Sequence, residues 1–372
     1  MNNICHHPYD PSLTLPLTSL FHIRLLDNSQ TDIEMWDTFV RNHPESDIFH
    51  SFRFLQIIKD ITSNIPILRC TPLHIMAFRE PNILSGIMPL FHYQHPIFGN
   101  FLISPAFFAY GGVLAHDIDT FHAIAKYTEA LALERMVRYA EIRSRIFPSF
   151  NNWHDSSVRH VCFRMKLADD IRERLFAIPR KKRANIRKAL ENNNLVYTNT
   201  TDIHTFYNLY AISMKKHGTP IHSINWYNKI MEQLGNNCNI GVVWEDNIPV
   251  AAVMSFFFKD SVYPYYVGAL PSARRLHAVD YLYWKLMEYA IQRKANIFDF
   301  GKSRVGSGAA NYKHHWGFPS YPLYRIYYSG SMCSTPPLPL YEACKKPVEK
   351  LWKQLPLSFS RLLGPLFAHG VV

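Results

Sequence analysis

CNIGVVWEDNIPVAAVMSFFFKD, residues 238–260, reads as a strand, a tight turn at Asp246-Asn247 and a second strand. VYPYYVGALP (262–271) follows as a third strand that ends near a glycine. VDYLYWKLMEYAIQRK (279–294) has apolar residues at helical spacing, and NIFDFG (296–301) is the strand after it. Strand, strand, strand, helix, strand is one α/β module.

The same order occurs earlier in the chain. PLHIMAFREPNILSGIMPLFHY (72–93) is again strand, turn and strand, FAYGGVLA (108–115) a third strand ending in glycines, and ALALERMVRYAEIRSR (130–145) a helix. Laid side by side, GIMPLFHY faces AAVMSFFF, YGGVLA faces YVGALP and MVRYAEIRS faces LMEYAIQRK, in the same order. A repeat this long means duplicated domains rather than a stacked array of short units. Ahead of the first copy, FHIRLLDN is an opening strand, followed by helices through IEMWDTFVRNH and FRFLQIIKDI. Ahead of the second, two helices, DIHTFYNLYAISMKKHG and SINWYNKIMEQLG, each end at a glycine, as helix C-caps often do. The reading divides the chain into an N-terminal arm (1–20), a first α/β domain (21–168), a second (169–330) and an amphipathic C-terminal tail (331–372).

Composition fits this plan. With 372 residues, 48% hydrophobic and 19% charged, the chain has material for two packed cores. A net charge of +11 favours phosphate-bearing or otherwise anionic partners. Six scattered cysteines (Cys5, Cys70, Cys162, Cys238, Cys333, Cys344) form no CxxC, which points to reduced thiols in a cytoplasmic protein. Nineteen histidines make no metal-ligand spacing, so no metal is expected. The N-terminus lacks a basic segment leading into a continuous apolar stretch, so no secretory signal is expected. The uncharged run from Pro96 to Ala115 approaches membrane-span length but carries Asn100, Ser104, Pro105 and three glycines, and buried strands and turns explain it better.

FDFGKSRVGSGAANYKHHWGF (298–318) is the segment most suggestive of chemistry. A strand ending at Phe300, then Gly301, Gly306 and Gly308 interspersed with Lys302, Arg304 and Lys313, is suited to bring backbone amides and cations to an anionic group. It lacks GxxxxGK[ST] and follows a helix instead of preceding one, so it is neither a Walker A loop nor a dinucleotide fingerprint. Asp299, at the end of the core strand, is the best-placed carboxylate to orient or deprotonate an amine. Asp280 is second, and either carboxylate could instead cap a helix or pair with Arg275. Tyr265 and Tyr266 alternate on the opposing strand, so only one is expected to face the cleft; packing is the expected job of either, and Tyr266 is the candidate donor to a leaving group. In RKKRANIRK (180–188), six of nine residues are basic, and Arg180, Arg183 and Arg187 share one helical face suited to phosphates. The run has no interleaved aromatics, which ranks general RNA binding last. The tail places Trp352, Leu355, Leu362, Leu363, Leu366 and Phe367 among Lys350, Lys353 and Arg361, with Pro356 and Pro365 limiting helix length. Such a segment either lies on an anionic membrane surface or packs back on the body.

ALPSARRLHAVDYLYW through FDFGKSRVGSGAANYKHHWGF resembles the FemAB family, most closely the FemAB-like proteins that accompany exosortase and exopolysaccharide systems in Gram-negative bacteria. FHSFRFLQIIKD, FGNFLISPAFFAYGGVLA, IPRKKRANIRKAL and KKHGTPIHS are similar to further family segments, so the likeness covers most of the chain. The resemblance implies two tandem GNAT-like domains, each a mixed, mostly antiparallel sheet flanked by helices, the second of the BioF2-like acetyltransferase kind. It implies N-acyl or aminoacyl transfer to an amine on a cell-envelope or exopolysaccharide precursor, with acyl-CoA or aminoacyl-tRNA as donor and no metal. By the same resemblance Lys313 lies near the reacting ester and the acceptor's phosphates, while Arg183, Arg187, Arg274 and Arg275 contact anionic parts of the ligands. The long coiled-coil arm of some Fem enzymes is missing, which argues against tRNA. The implied location is the cytoplasm, with peripheral contact at the inner membrane through the tail, and sequence-specific DNA is not an expected partner. The rival from another class is a catalytically silent module that delivers a glycan or lipid intermediate for export.

Overall fold

The computed structural model describes residues 20–80, 83–146, 151–156, 159–168, 170–329 and 340–368. The arm before Leu20, and with it Cys5, lies outside the described residues, as do Cys333 and the start of the tail.

The first module opens with β1 (His22–Leu25), α1 (Gln30–Asn42) and α2 (Phe52–Ser63). Ser29 starts α1 by accepting the Asp32 N–H, and Ser51 starts α2 by accepting the Phe54 N–H, so each helix has an oxygen on one of its orphan donors. There follow β2 (Arg69–Pro72), β3 (Ile75–Glu80), β4 (Ile83–Met88), β5 (Phe91–His95), β6 (Gly99–Ser104), β7 (Leu114–Ala115), α3 (Ile118–Glu134), β8 (Ala140–Ser144), β9 (Trp153–Asp155) and β10 (His160–Lys166).

The second module runs α4 (Ile171–Ala177), α5 (Arg180–Leu190), β11 (Leu195–Thr200), α6 (Ile203–His217), α7 (Ile224–Leu234), β12 (Cys238–Glu245), β13 (Ile248–Phe258), β14 (Ser261–Ala269), α8 (Ala278–Gln292), β15 (Ile297–Arg304), α9 (Gly308–His314) and β16 (Ser320–Tyr328). Two tail helices close the chain, α10 (Leu340–Gln354) and α11 (Leu357–Ala368). As expected, α6 ends at Gly218, whose φ of +80° a side chain would resist, and α7 ends at Gly235.

The duplication is visible in the pairing. β3, β4 with β5, β6 with β7, α3 and β8 repeat the order β12, β13, β14, α8 and β15. In both copies the strand after the helix pairs in parallel with a strand ahead of it, β6 with β8 across β7 and α3, and β14 with β15 across α8. The two modules share one sheet of order β11-β12-β13-β14-β15-β10-β16-β8-β6-β5-β2, beside a four-stranded sheet β1-β3-β4-β7. They exchange strands at the join: β10, early in the chain, lies between β15 and β16, and β16 in turn pairs with β8 and β9. The expected boundary at 168/169 falls between β10 and α4.

Two expectations are corrected. The helix read at 130–145 is the last turn of α3 followed by β8. Asp117 caps α3 much earlier, and Met136 leaves the helix at φ +49°. Glu141 and Arg143, which imitate the polar face of a helix in sequence, are buried partners inside a strand. FAYGGVLA forms strand only at Leu114–Ala115. Its glycines serve a close crossing instead: Gly111 has φ +106°, and a Cβ on Gly112 would sit 1.6 Å from the Arg143 carbonyl oxygen.

Candidate functional site

β14 and β15 are paired only at Ser261–Ile297 and Val262–Phe298. Beyond that point they diverge. Opposite β13, the register of β14 jumps from Ser255–Pro264 to Met254–Tyr266, which skips Tyr265 and makes a β-bulge. Pro264, with no N–H to give a ladder, is a residue that a bulge accommodates. The bulge defeats the strand alternation expected for Tyr265 and Tyr266, because both rings, 4.9 Å apart, line the same opening. Between the diverging strands lies a cavity of about 380 Å³, walled also by Tyr210 and Met214 of α6, by Tyr110, and by Asp299, Lys302 and Lys313.

Asp299 is buried on β15. Its Oδ1 accepts the Gly301 N–H at 2.8 Å, a turn Gly301 makes at φ +74°, and the Tyr110 hydroxyl of the first module at 3.0 Å. Its Oδ2 lies 4.0 Å from Nη2 of Arg145, another first-module residue. Burial raises the Asp299 pKa above the ordinary 3.8, with Arg145, the Gly301 N–H, Arg164 and Tyr110 pulling against it. Arg145 also reaches Asp47 at 3.6 Å and lies over the Tyr110 ring. Asp47 in turn pairs with His50 at 2.9 Å.

Asp47, His50, Tyr110 and Arg145 belong equally to a second cavity of about 320 Å³, which His43, Glu45 and the Gly111–Gly112 crossing help to line. Tyr110 stands between the two cavities, and Arg145 bridges their carboxylates. Nothing in the sequence around Tyr110, Arg145, Asp47 or His50 marked them, beyond the glycines that follow Tyr110. They reach Asp299 only through the tertiary fold.

Lys313 enters from α9, where Tyr312 beside it anchors the helix by donating to Asp280 Oδ1 at 2.5 Å. The Lys313 ammonium donates to the Gly301 and Lys302 carbonyls at 3.1 and 3.0 Å. Burial lowers its pKa to about 8, against the opposite pull of Asp299 and Cys162. At neutral pH it therefore remains mostly a cation, by roughly tenfold. Tyr266 accepts the Trp226 indole N–H at 3.3 Å and is packed by Tyr210 and Tyr227; burial holds its pKa well above 10. The tyrosine bonded to Asp299 is Tyr110.

Other candidates fall outside this cavity. β15 continues past Phe300 to Arg304, which pairs with His160, so the glycine-rich loop shrinks to a turn at Gly306 and the first residue of α9, Gly308. Arg304, Gly306 and Gly308 are not among the lining residues, whereas Lys302 is. Asp280 pairs with Lys182 at 2.8 Å and Asn185 at 3.2 Å, not with Arg275, which reaches Glu245 at 3.4 Å. Thus α5 turns Lys182 inward and leaves Arg187 exposed, while Arg183 donates to the Phe176 carbonyl and stacks on its ring. Arg274 and Arg275 are exposed in the short turn at Pro271–Arg274 that leads into α8. Among the described residues, no group of three or more His, Cys, Asp or Glu side chains is placed to hold a metal ion.

Residues 180–314 match the family model of the acetyltransferase (GNAT) domain. No curated protein sequence is detectably similar to the chain. Among solved structures, FemX aligns over 84% of this chain and 98% of its own at a TM-score of 0.64 and 13% identity. A tandem GNAT protein from the clavulanic acid biosynthesis pathway aligns over 82% and 97% at 0.52 and 9% identity. A conserved protein of unknown function from Bacteroides thetaiotaomicron aligns over 83% and 100% at 0.51 and 13% identity. At these identities the likeness is one of fold. The fold is that of two GNAT modules in tandem, and the class of chemistry that its GNAT acetyltransferase domain represents is acyl transfer. In fold the whole chain is similar to FemX and to the tandem GNAT protein, and residues 180–314 carry the GNAT domain.

Proposed function

We propose that the protein transfers an acyl or aminoacyl group from a thioester or ester donor to an amine on a phosphate-bearing cell-envelope or exopolysaccharide precursor, at the cavity between β14 and β15. The observation that carries this reading is the buried Asp299 facing Lys313 across one opening. An amine attacking an acyl carbon must lose a proton, and negative charge gathers on the carbonyl oxygen. Asp299, whose pKa burial raises against the pull of Arg145 and its two donors, takes the proton. The Lys313 ammonium offsets the oxyanion, with the N–H of Tyr265, skipped in the β13–β14 register, as the backbone donor. The leaving thiol or hydroxyl is reprotonated, a role for which Tyr266 stands on the lining.

The second cavity is the acceptor's place, because Arg145 and Tyr110 join it to Asp299 and the His43 and His50 imidazoles line it. Lys302, Arg274 and Arg275 are assigned to the donor's phosphates, and Arg183, Arg187 and Arg304 to longer polyanionic portions of the ligands. Gly306 and Gly308 shape the turn that aims α9. The exopolysaccharide precursor and a cytoplasmic site of action are supported by sequence resemblance.

Native mass spectrometry and thermal shift against acyl-CoAs, aminoacyl-tRNA and nucleotide sugars test the reading. CoA-dependent stabilisation, weakened by Lys313→Ala, makes acyl-CoA the donor; stabilisation by aminoacyl-tRNA alone makes it Fem-like. Binding of a nucleotide sugar or glycan with no transfer from any donor would instead make the chain a silent delivery module.

A further inference from the structure

The tail helices are docked on the body, and one of them is docked inside out. Trp352 of α10 is 2% exposed and packs against Phe367, while Arg361 donates to Asn208 of α6 at 2.8 Å. The fit is close: a Cβ on Gly364 would sit 2.6 Å from the Ile221 carbonyl oxygen, and one on Gly218 equally near that of Glu349. In α11 the residues facing the body are Ser360, Gly364 and Ala368, at a spacing of four. Those facing solvent include Phe359, Leu362 and Leu366, which are 54%, 73% and 52% exposed. A surface helix of a soluble protein has the opposite arrangement. Leu351 of α10, 59% exposed, adds to the apolar surface.

Charge tells what covers it. Among described residues 347–368, Glu349 is the one acidic side chain, against Lys350, Lys353 and Arg361. At the end of α6, Lys216 joins Lys353 around His217, whose pKa is held below its ordinary value by burial first and then by these two cations. A second copy of the chain, docked through a two-fold axis, would present the same lysine-rich surface from both sides, with Glu349 as the one acidic side chain among described residues 347–368 to offset it. An anionic lipid surface meets both halves of the pattern, apolar side chains entering the acyl boundary and lysines at the phosphates.

We propose that α10 and α11 form a docking surface for an anionic phospholipid membrane, with Phe359, Leu362 and Leu366 entering the interface and Lys350, Lys353 and Lys216 contacting lipid phosphates. No helix among the described residues is long and apolar enough to cross a membrane, so this contact is peripheral. The surface stands independently of the transfer reaction. α6 relates the two, since it carries the tail while its Tyr210 and Met214 line the Asp299 cavity.

The test is co-sedimentation of the full-length protein with phosphatidylcholine vesicles, with and without phosphatidylglycerol. Wild type should partition to the anionic vesicles, and added salt should weaken the binding. Leu362→Ser with Leu366→Ser should reduce partition by about tenfold or more, as should Lys350→Gln with Lys353→Gln. These side chains face solvent, so the thermal midpoint should be kept, and ligand shifts at the Asp299 cavity should be unchanged. Wild type that ignores anionic vesicles, or variants that bind like wild type, would overturn the proposal. So would a solution dimer dispersed by the leucine substitutions, which would give the surface to a second copy.

Discussion

Tyr110 donates to Asp299 from the other module, and its contribution has a sign that can be measured. The donation favours the carboxylate and lowers a pKa that burial raises. Tyr110→Phe should therefore move the acid limb of kcat/KM to higher pH, and slow turnover on the order of tenfold near neutrality. The alkaline limb belongs to Lys313. As a cation opposite the oxyanion it should lose effect as pH rises through about 8, so activity should fall there, and Lys313→Arg should push that fall to higher pH. A rise through the same range would make Lys313 a base instead. Asp299 was a candidate in the sequence because it lies on a core strand, and Lys313 because of the family resemblance. Tyr110 and Arg145 were not, since a tyrosine before two glycines and an arginine after a buried strand acquire their roles only when the modules meet.

At the scale of elements, the bulge in β14 opens the cavity and the packing of α6 on β14 closes its wall. A Cβ on Gly268 would lie 2.4 Å from the backbone N and Cα of Tyr210, so Gly268→Ala must push α6 outward. That substitution should cost about 1–3 kcal/mol in denaturant unfolding and widen the cavity at Tyr210 and Met214, lowering donor affinity. A stability equal to wild type would mean that α6 is not seated as described. Helices with a side-chain cap or a terminal glycine, α1, α2, α6 and α7, were readable, as was α8 from its apolar spacing alone. β8 was misread as helix because Glu141 and Arg143 are charges buried in a strand, and the bulge was invisible because β14 is apolar on both faces, so the phase shift that a skipped residue makes has no polar alternation to show against.

Across the whole molecule, the two modules are clasped where β16 joins β8. Arg325 and Arg143 face each other across the strands, and Glu141 holds both, accepting from Arg325 at 2.9 and 2.7 Å and from Arg143 at 2.8 Å. Arg143 also donates to the Pro105 and Phe108 carbonyls, which fixes the loop that carries Tyr110. Against the upward push of burial, the two guanidiniums keep the Glu141 pKa well below its ordinary 4.5. Its stabilising contribution is therefore present above about pH 4.5 and lost as pH falls towards the folded value. Glu141→Gln, which leaves two buried cations uncompensated, should cost about 3–5 kcal/mol and flatten the loss of stability in acid. The repeated order could be read from sequence, although MVRYAEIRS, laid there against the helix LMEYAIQRK, runs into β8; the exchange of β10 and β16 between modules could not, because pairing between strands so far apart in the chain leaves no local signal.

Single-turnover transfer from a bound donor to an amine, compared between wild type and Asp299→Asn, tests the role of the β14–β15 cavity most directly. Asp299→Asn should keep donor affinity and lose at least about a hundredfold in rate. Transfer at the wild-type rate by Asp299→Asn would contradict it.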